Sequence, residues 1–269
     1  MKIEEIHIVE LKLLAKFKQI CDKNKLKYFL IGGSLLGAVR HKGFIPWDDD
    51  VDVGMLRGDY DKMLRILPQE LKDSAYFLQT PWSDEHYGLS YAKLLNCDYT
   101  IQEKFNYNDA RSGLFIDIFP FDAIPISKLS RNLQMLQYKR YNDQLLLKLN
   151  YSPFPLPGRD YIKEKIAQNM EEIDSLKVKR EEAMCQYELD TFLPECKNLA
   201  SQYSYDKEVI ERENLDKLKE VPFENLMLNV PCAYDQILTT MYGDYMKLPP
   251  VERRINKHLM EIEIINNER

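Results

Sequence analysis

Residues Ile31 to Gly54, reading IGGSLLGAVRHKGFIPWDDDVDVG, constrain this chain more than any other stretch. The preceding run Tyr28-Phe29-Leu30-Ile31 is apolar and stops at two glycines, the pattern of a buried strand entering a tight turn. Ser34 is placed to cap a helix from Leu35 to about Arg40, whose first backbone N–H groups would face whatever fills the turn. Gly43 and Pro46 break the chain ahead of Asp48, Asp49, Asp50 and Asp52. Asp50-Val51-Asp52-Val53 alternates with the period of a strand, so Asp50 and Asp52 are expected on one face and Val51 and Val53 in the core. Asp48 shares that polar side if the strand starts early, and Asp49 points away. Strand, glycine turn, helix and strand in succession specify an α/β (α+β) chain.

The flanking segments supply covers and further strands. Ile6, Val9, Leu13, Phe17 and Ile20 recur at the spacing of an amphipathic helix over residues 3–21. A second helix is expected from Asp59 to Leu67, ended by Pro68. Tyr76 to Gln79 and Tyr91 to Leu95 read as strands, the latter with Tyr91, Lys93 and Leu95 on one face. Leu114 to Pro120 is a strongly apolar strand interrupted by Asp117, a carboxylate that is costly there unless something satisfies it. From Ser127 the pattern turns helical, with Leu129-Leu133-Leu136 and onward to about Leu149, then a proline loop at Pro153, Pro155 and Pro157 and a charged helical stretch over 160–193. Tyr234 to Tyr242 is a helix with Gly243 at its C-terminal cap, followed by a basic helix with Arg253, Arg254, Lys257 and His258. Those four either meet a phosphate or form a solvated face, and the solvated face is favoured. The expected organisation is a nucleotidyltransferase-like catalytic core over 1–125, a mainly helical insertion or subdomain over 126–220 and a C-terminal helical segment over 221–269 that completes the core.

Composition excludes several classes. The 269 residues are 45% hydrophobic and 30% charged with a net charge of −6, the profile of a soluble globular protein with a substantial core. An acidic chain is a poor binder of the nucleic-acid backbone, so no nucleic-acid partner is expected. The five cysteines, Cys21, Cys97, Cys185, Cys196 and Cys232, are odd in number and lack Cys-x-x-Cys spacing, which favours reduced thiols over zinc binding or a disulfide framework. No signal peptide or membrane span is visible, so a cytoplasmic protein is expected.

Three carboxylates from two strands suit a hard divalent cation that bridges to substrate phosphates, and a Gly-Gly-Ser turn offers backbone donors to the same phosphates. That is the chemistry of metal-assisted phosphoryl or nucleotidyl transfer. Asp-x-Asp alone is weak, because metal-dependent glycosyltransferases use it too. An EF-hand count places Asp48, Asp50, Asp52 and Asp59 at ligand positions, but Val53 stands where the loop needs glycine and Asp59 where it needs Glu. A solvated acidic turn explains the acids without explaining the glycines or Asp117.

Gly33 to Asp52 resembles the signature of the LicD family, to which fukutin-type proteins are related. Phe115-Ile116-Asp117-Ile118-Phe119-Pro120 and Tyr242-Gly243-Asp244-Tyr245-Met246 with Pro249-Pro250 resemble its second and third motifs, while residues 127 to about 220 carry no matching motif. The resemblance implies a nucleotidyltransferase-like mixed sheet flanked by helices and using Mg²⁺, with Mn²⁺ as the substitute. It implies transfer of a phosphorylated alcohol, typically phosphocholine, from a CDP-linked donor such as CDP-choline to a sugar hydroxyl of a cell-surface glycan, releasing CMP. Lipopolysaccharide, teichoic acid and capsule are glycans of that kind. The fold also serves nucleotidyltransferases, which transfer the other half of the donor.

Asp50 and Asp52 are the first-choice metal ligands, Asp117 is a third ligand or the base for the acceptor hydroxyl, and Asp48 is a weaker ligand. Gly32, Gly33 and Ser34 are expected on donor phosphate, with Ser34 divided between that and capping, and Arg40 and Lys42 on the diphosphate or the departing CMP. His41 is left outside the core set, and Tyr242, Asp244 and Tyr245 either line the site or lock the C-terminal helix. Trp47 is a candidate to pack under the metal loop. Three readings stand: this phosphotransferase, a nucleotidyltransferase or metal-dependent glycosyltransferase with another activated donor, and a noncatalytic metal- or nucleotide-binding protein. A glycan acceptor carried on a lipid would bring the enzyme to the inner membrane face with at most peripheral contact.

Overall fold

The structure, a computed structural model, describes residues 1–103, 108–151, 169–190, 192–255 and 260–264. The first periodic segment forms α1 (Ile3–Asn24), which ends at Lys25 in a left-handed conformation, and its stripe from Ile6 to Ile20 is buried. Then come β1 (Phe29–Leu30), α2 (Gly32–Arg40), β2 (Asp52–Leu56), α3 (Arg57–Glu70), β3 (Tyr76–Gln79), β4 (Ala92–Asn96), β5 (Tyr99–Glu103) and β6 (Leu114–Ala123). A helical pair, α4 (Lys128–Lys148) and α5 (Met170–Cys185), precedes β7 (Glu195–Lys197), β8 (Val209–Glu211), α6 (Arg212–Asp216), β9 (Leu218–Phe223), β10 (Leu226–Pro231), α7 (Tyr234–Tyr242) and β11 (Met260–Ile264).

The main sheet runs β1-β2-β6-β4-β3, with β7 paired to the end of β6 and β8 to β7. Only β2 and β6 run parallel within it. This is the mixed, helix-flanked sheet expected. Alternation along β6 sends Ile116 and Ile118 into the core at 0% exposure and puts Phe115, Asp117 and Phe119 on the opposite face. The core joins α1, α3 and this sheet to Cys196, Ile210 and Leu215 and to Leu228, Val230, Leu238 and Met241 of the last third.

Helices α4 and α5 pack on each other through Leu145, Leu149, Ile173 and Leu176. They are tied to the sheet by charge: Arg57 of α3 donates to Asp122 of β6 at 2.6 and 2.9 Å and to Glu181 of α5 at 2.6 Å. Arg57 and Asp122 are 3% and 0% exposed, so each depends on the other to satisfy a buried charge.

Four local expectations are corrected. α2 begins at Gly32, with Ile31 as its N-cap, so Ser34 lies inside the first turn and does not cap it. Its hydroxyl instead accepts the Asp52 backbone N–H at 2.8 Å, a long-range bond that no local pattern announces. β2 begins at Asp52, leaving Asp50 in the loop before it, although the Val51 carbonyl already accepts the Asp117 N–H at 2.8 Å. Pro68 lies within α3, because Leu67 and Leu71 are both core residues and the Leu71 N–H bonds the Leu67 carbonyl past the proline. The basic helix is only a 3₁₀ turn at Val251–Arg253 where it is described, and Lys257 and His258 lie outside the described residues, as do Pro153, Pro155 and Pro157.

In α4, Leu129, Leu133 and Leu136 face solvent at 51–70% exposure, and the opposite face carries the buried Gln134 and Tyr138. Cys21, Cys97, Cys185, Cys196 and Cys232 are free thiols, as expected.

Candidate active site

The parallel pairing of β2 and β6 sets the site, because it places Asp52 directly opposite Asp117. Register partners in adjacent strands project to the same face, so the two carboxylates stand side by side. The row continues across the sheet: Asp117 is opposite Lys93 on β4, and Lys93 is opposite Gln79 on β3. Lys93 Nζ lies 3.6 Å from Asp117 Oδ1, with the two side chains 10% and 11% exposed. The isolated carboxylate of an apolar strand thus has a buried cation beside it.

The glycine turn closes the other end of the row. Gly32 adopts φ +54°, where a side chain is strained, and a Cβ there would lie 3.3 Å from Asp52 Oδ2. A Cβ on Gly33 would come within 2.7 Å of Asp48 Oδ2. Both glycines therefore make room for acid side chains at the N-terminus of α2, where backbone N–H groups lack helical acceptors. Ser34, bonded to the Asp52 N–H, fixes the first residue of β2 against this turn.

The acid loop is held from α1. His7 Nε2 donates to the Asp48 carbonyl at 2.6 Å, and the His7 ring stacks on Phe44 at 4.0 Å between centroids. Glu10, one turn further, is 2% exposed and its Oε2 has no hydrogen-bond partner. Burial, followed by Asp50, Asp49, Asp48 and Asp117, holds its carboxyl well above the usual range. Asp52 is likewise pushed well above, by burial first and then by Asp50, Asp117, Asp48 and Glu208. Asp49 is buried, at 2% exposure, and its charge reaches Glu10 along with those of Asp50 and Asp48.

A second cluster flanks the acids. The Tyr203 and Tyr242 hydroxyls bond at 2.6 Å, and Asp52 is among the charges that raise both phenols after burial. Arg40 donates to the Tyr245 carbonyl and to His41, both at 2.9 Å, and Arg254 lies 5.7 Å above the Trp47 ring. Burial lowers Arg40 and His41, and neighbouring guanidinium groups add to it, Arg254 for Arg40 and Arg40 for His41.

The structure thus gathers Gly32, Gly33, Ser34, Asp48, Asp50, Asp52 and Asp117, and sets Arg40 in the adjoining cluster with Tyr242 and Tyr245. Lys42 is exposed in a left-handed turn (φ 59°), and its carbonyl accepts the Glu224 N–H of the β9–β10 turn at 2.8 Å.

Sequence reasoning gave no role to His7, Glu10, Lys93 or Tyr203. Glu10 had a legible signal, since it stands four residues after Ile6 and three before Leu13, inside the buried stripe. Lys93 had one too, being on the same strand face as Leu95, and a lysine on a buried face implies a carboxylate partner.

Carboxylates clustered in this way, with burial and then its acidic neighbours raising Asp52, offer hard oxygen donors where a divalent cation gains most. Among the described residues no three His, Cys, Asp or Glu side chains are already grouped as a metal cage.

The family described as LicD/FKTN/FKRP, nucleotidyltransferase domain, matches residues 25–155, which contain the glycine turn, the acid loop and Asp117. Over 273 residues the chain is 30% identical to the lipopolysaccharide cholinephosphotransferase LicD of Haemophilus influenzae, covering 98% of this chain and 99% of that one. The chain belongs to the LicD family. It is a phosphotransferase of the LicD type, and its sheet is the nucleotidyltransferase-like sheet of that family. A shorter match joins it to human ribitol 5-phosphate transferase FKRP, 59% identical over 34 residues, which are 13% of this chain and 7% of that one. The match to an uncharacterized protein of Rickettsia prowazekii is 45% over 58 residues, 22% of each chain. No helix of the described residues is long and apolar enough to cross a membrane.

Proposed function

We propose that this LicD-family enzyme transfers a phosphorylated alcohol, with phosphocholine the first choice, from a CDP-linked donor to a sugar hydroxyl of a cell-surface glycan such as lipopolysaccharide, in a Mg²⁺-dependent reaction. The observation that carries the reading is the Asp52–Asp117 register, which pairs two carboxylates beside a glycine turn. The Haemophilus relative's description as a lipopolysaccharide cholinephosphotransferase supports the alcohol and the acceptor class.

The donor set fits Mg²⁺, since the converging groups are carboxylates without thiols and Asp52 is raised by burial and then by its acidic neighbours. Asp52, with Asp50 and Asp48 from the loop, would hold the ion, leaving Asp117 as the base. Bound there, Mg²⁺ supplies charge neutralisation and orientation for the diphosphate. The first N–H groups of α2, at Gly32 and Gly33, are positioned for phosphate oxygens. The acceptor oxygen forms a bond to the phosphorus bearing the alcohol, and the bond from that phosphorus to the bridging oxygen breaks. CMP leaves with the electron pair. Asp117, between the acid end and Lys93, takes the acceptor proton, and Lys93 balances charge beside the attacking oxygen. Arg40, in the adjoining cluster, is assigned to the departing nucleotide. A cytosolic donor and a lipid-carried glycan would place the reaction at the inner membrane face, reached by peripheral contact.

The test is incubation with Mg²⁺, choline-labelled CDP-choline and lipopolysaccharide or teichoic acid. Release of CMP with label on the glycan, lost on chelation, is expected. Pyrophosphate from a nucleoside triphosphate, sugar transfer from a sugar nucleotide, or activity indifferent to chelation overturns the reading.

A further inference from the structure

A cavity of about 300 Å³ opens on the same sheet face, at the end of the polar row away from the glycine turn. Gln79, Lys93, Leu95 and Phe115 from three strands form its floor, and Tyr87 and Arg111 stand in its wall. Its size falls at the lower end of small-ligand pockets, enough for a sugar residue.

Tyr87 distinguishes this cavity from an ordinary surface dent. The side chain is 2% exposed, lines the cavity, and its hydroxyl has no hydrogen-bond partner. A buried hydroxyl left unpaired is expensive, and a polar group entering the cavity would supply its partner. Burial keeps this phenol protonated and so able to donate, and Tyr91 and then Asp117 are the charges that reinforce it.

The wall carrying Tyr87 is fixed by the helical pair. Lys177 of α5 donates to the Glu85 carbonyl at 2.8 Å, and Arg180, 1% exposed, donates to the Gly88 and Leu89 carbonyls. The Gly88 N–H donates to the Tyr151 hydroxyl at 3.1 Å. Three buried or half-buried anchors on one short loop hold a preformed wall.

We propose that this cavity is the acceptor subsite: it binds the sugar whose hydroxyl is phosphorylated, with the Tyr87 hydroxyl donating to that sugar. The inference rests on the phosphotransfer reading above. Donor phosphates belong at the acid and glycine end, and in-line displacement requires the nucleophile to arrive from another side. Asp117 lies between the two ends, so a hydroxyl presented from the cavity reaches the carboxylate that takes its proton. Thr100, Asn108 and Ser112 add hydroxyl and amide groups beside the aromatic face of Phe115, a lining suited to a polyhydroxylated ring.

Tyr87→Phe removes one atom that holds no bond in the free protein, so folding is preserved. With the glycan that the wild type modifies, KM for the glycan is expected to rise about 3- to 10-fold, the worth of one hydrogen bond, with KM for CDP-choline unchanged. A rise in donor KM instead would assign the cavity to the nucleotide and overturn the proposal, as would no change in either. Saturation-transfer NMR of O-deacylated lipopolysaccharide with the metal-free protein reads the subsite without turnover. Binding weakened by Tyr87→Phe sustains the proposal, and equal binding or none overturns it. Failure of the phosphotransfer reading looks different: the wild type binds glycan but moves no label from CDP-choline.

Discussion

Asp52 on β2 and Asp117 on β6 are register partners in the parallel strand pair of the main sheet, separated in sequence by most of three strands and a helix. Their side-by-side placement concentrates negative charge that burial alone would disfavour, and burial with the surrounding acids holds Asp52 well above the usual carboxylate range. If these two residues carry the Mg²⁺-dependent step, Asp52→Asn and Asp117→Asn each lower turnover about 100- to 1000-fold, several kcal/mol of charge stabilisation. Thermal unfolding of metal-free Asp52→Asn should stay at or above the wild type, since it removes one of several clustered acids, whereas Asp117→Asn should unfold lower, because it removes a charge partner of the nearly buried Lys93. Near-normal CMP release by both variants removes them from the site.

Gly33 and Gly37 differ in what an added side chain would meet. A Cβ at residue 33 meets the carboxylate end of Asp48 at 2.7 Å, a group that can swing away, whereas at residue 37 it meets the Gly43 carbonyl at 2.5 Å, in backbone. Gly37→Ala is expected to cost about 1–3 kcal/mol of stability through overpacking. Gly33→Ala should unfold near the wild-type temperature in the absence of metal and require more Mg²⁺ for half-maximal activity. Equal loss of stability in both variants would show that Asp48 is as rigidly held as the backbone.

Glu10 makes stability depend on pH. Its folded-state carboxyl is raised well above the ordinary 4.5, by burial first and then by Asp50. Above that ordinary value the unfolded chain has released the proton while the folded chain keeps it, so rising pH favours unfolding at this group. In metal-free protein Glu10→Gln should raise the unfolding temperature at neutral pH, and the gain should shrink to nothing as pH falls below the unfolded-state pKa. A gain constant across the titration would assign the effect to packing.

Asp122→Asn leaves the Arg57 guanidinium, 3% exposed, without its bidentate partner on β6. Loss of about 3–5 kcal/mol is expected, as for other broken buried pairs. Glu181, 32% exposed, is the weaker tether, and Glu181→Gln should cost less. Chemical denaturation of the two variants ranks them, and the reverse order would place the main tie on α5 rather than on β6.

Ser34 and Pro68 show where sequence patterns mislead. A serine after two glycines before an apolar run is a sound capping signal, yet its hydroxyl serves the Asp52 N–H across the chain. A proline after an amphipathic stripe is a sound stop signal, yet burial of Leu67 and Leu71 carries α3 past it to Glu70. Both errors have one cause: a tertiary contact outweighed a local preference. The exposed Leu129-Leu133-Leu136 stripe of α4 has the same lesson in reverse, because helical periodicity names a face without naming its partner.

The sequence by itself determined β1, β2, β3, β4 and β6, most helices and the acidic character of the loop before β2, because these follow from local alternation, glycine and proline placement and side-chain type, whereas β7 to β10 lie in stretches read as helical. It also marked Asp117 as a carboxylate in need of company, since a charge in an apolar strand is costly whatever surrounds it. Only the tertiary structure decided that the company is Asp52 on one side and Lys93 on the other, that Glu10 of α1 lies buried beside the acids, and that Tyr87 is hung beside them from α5. Those relationships join residues far apart in the chain through strand register and helix packing, and neither is encoded in any window short enough to read locally.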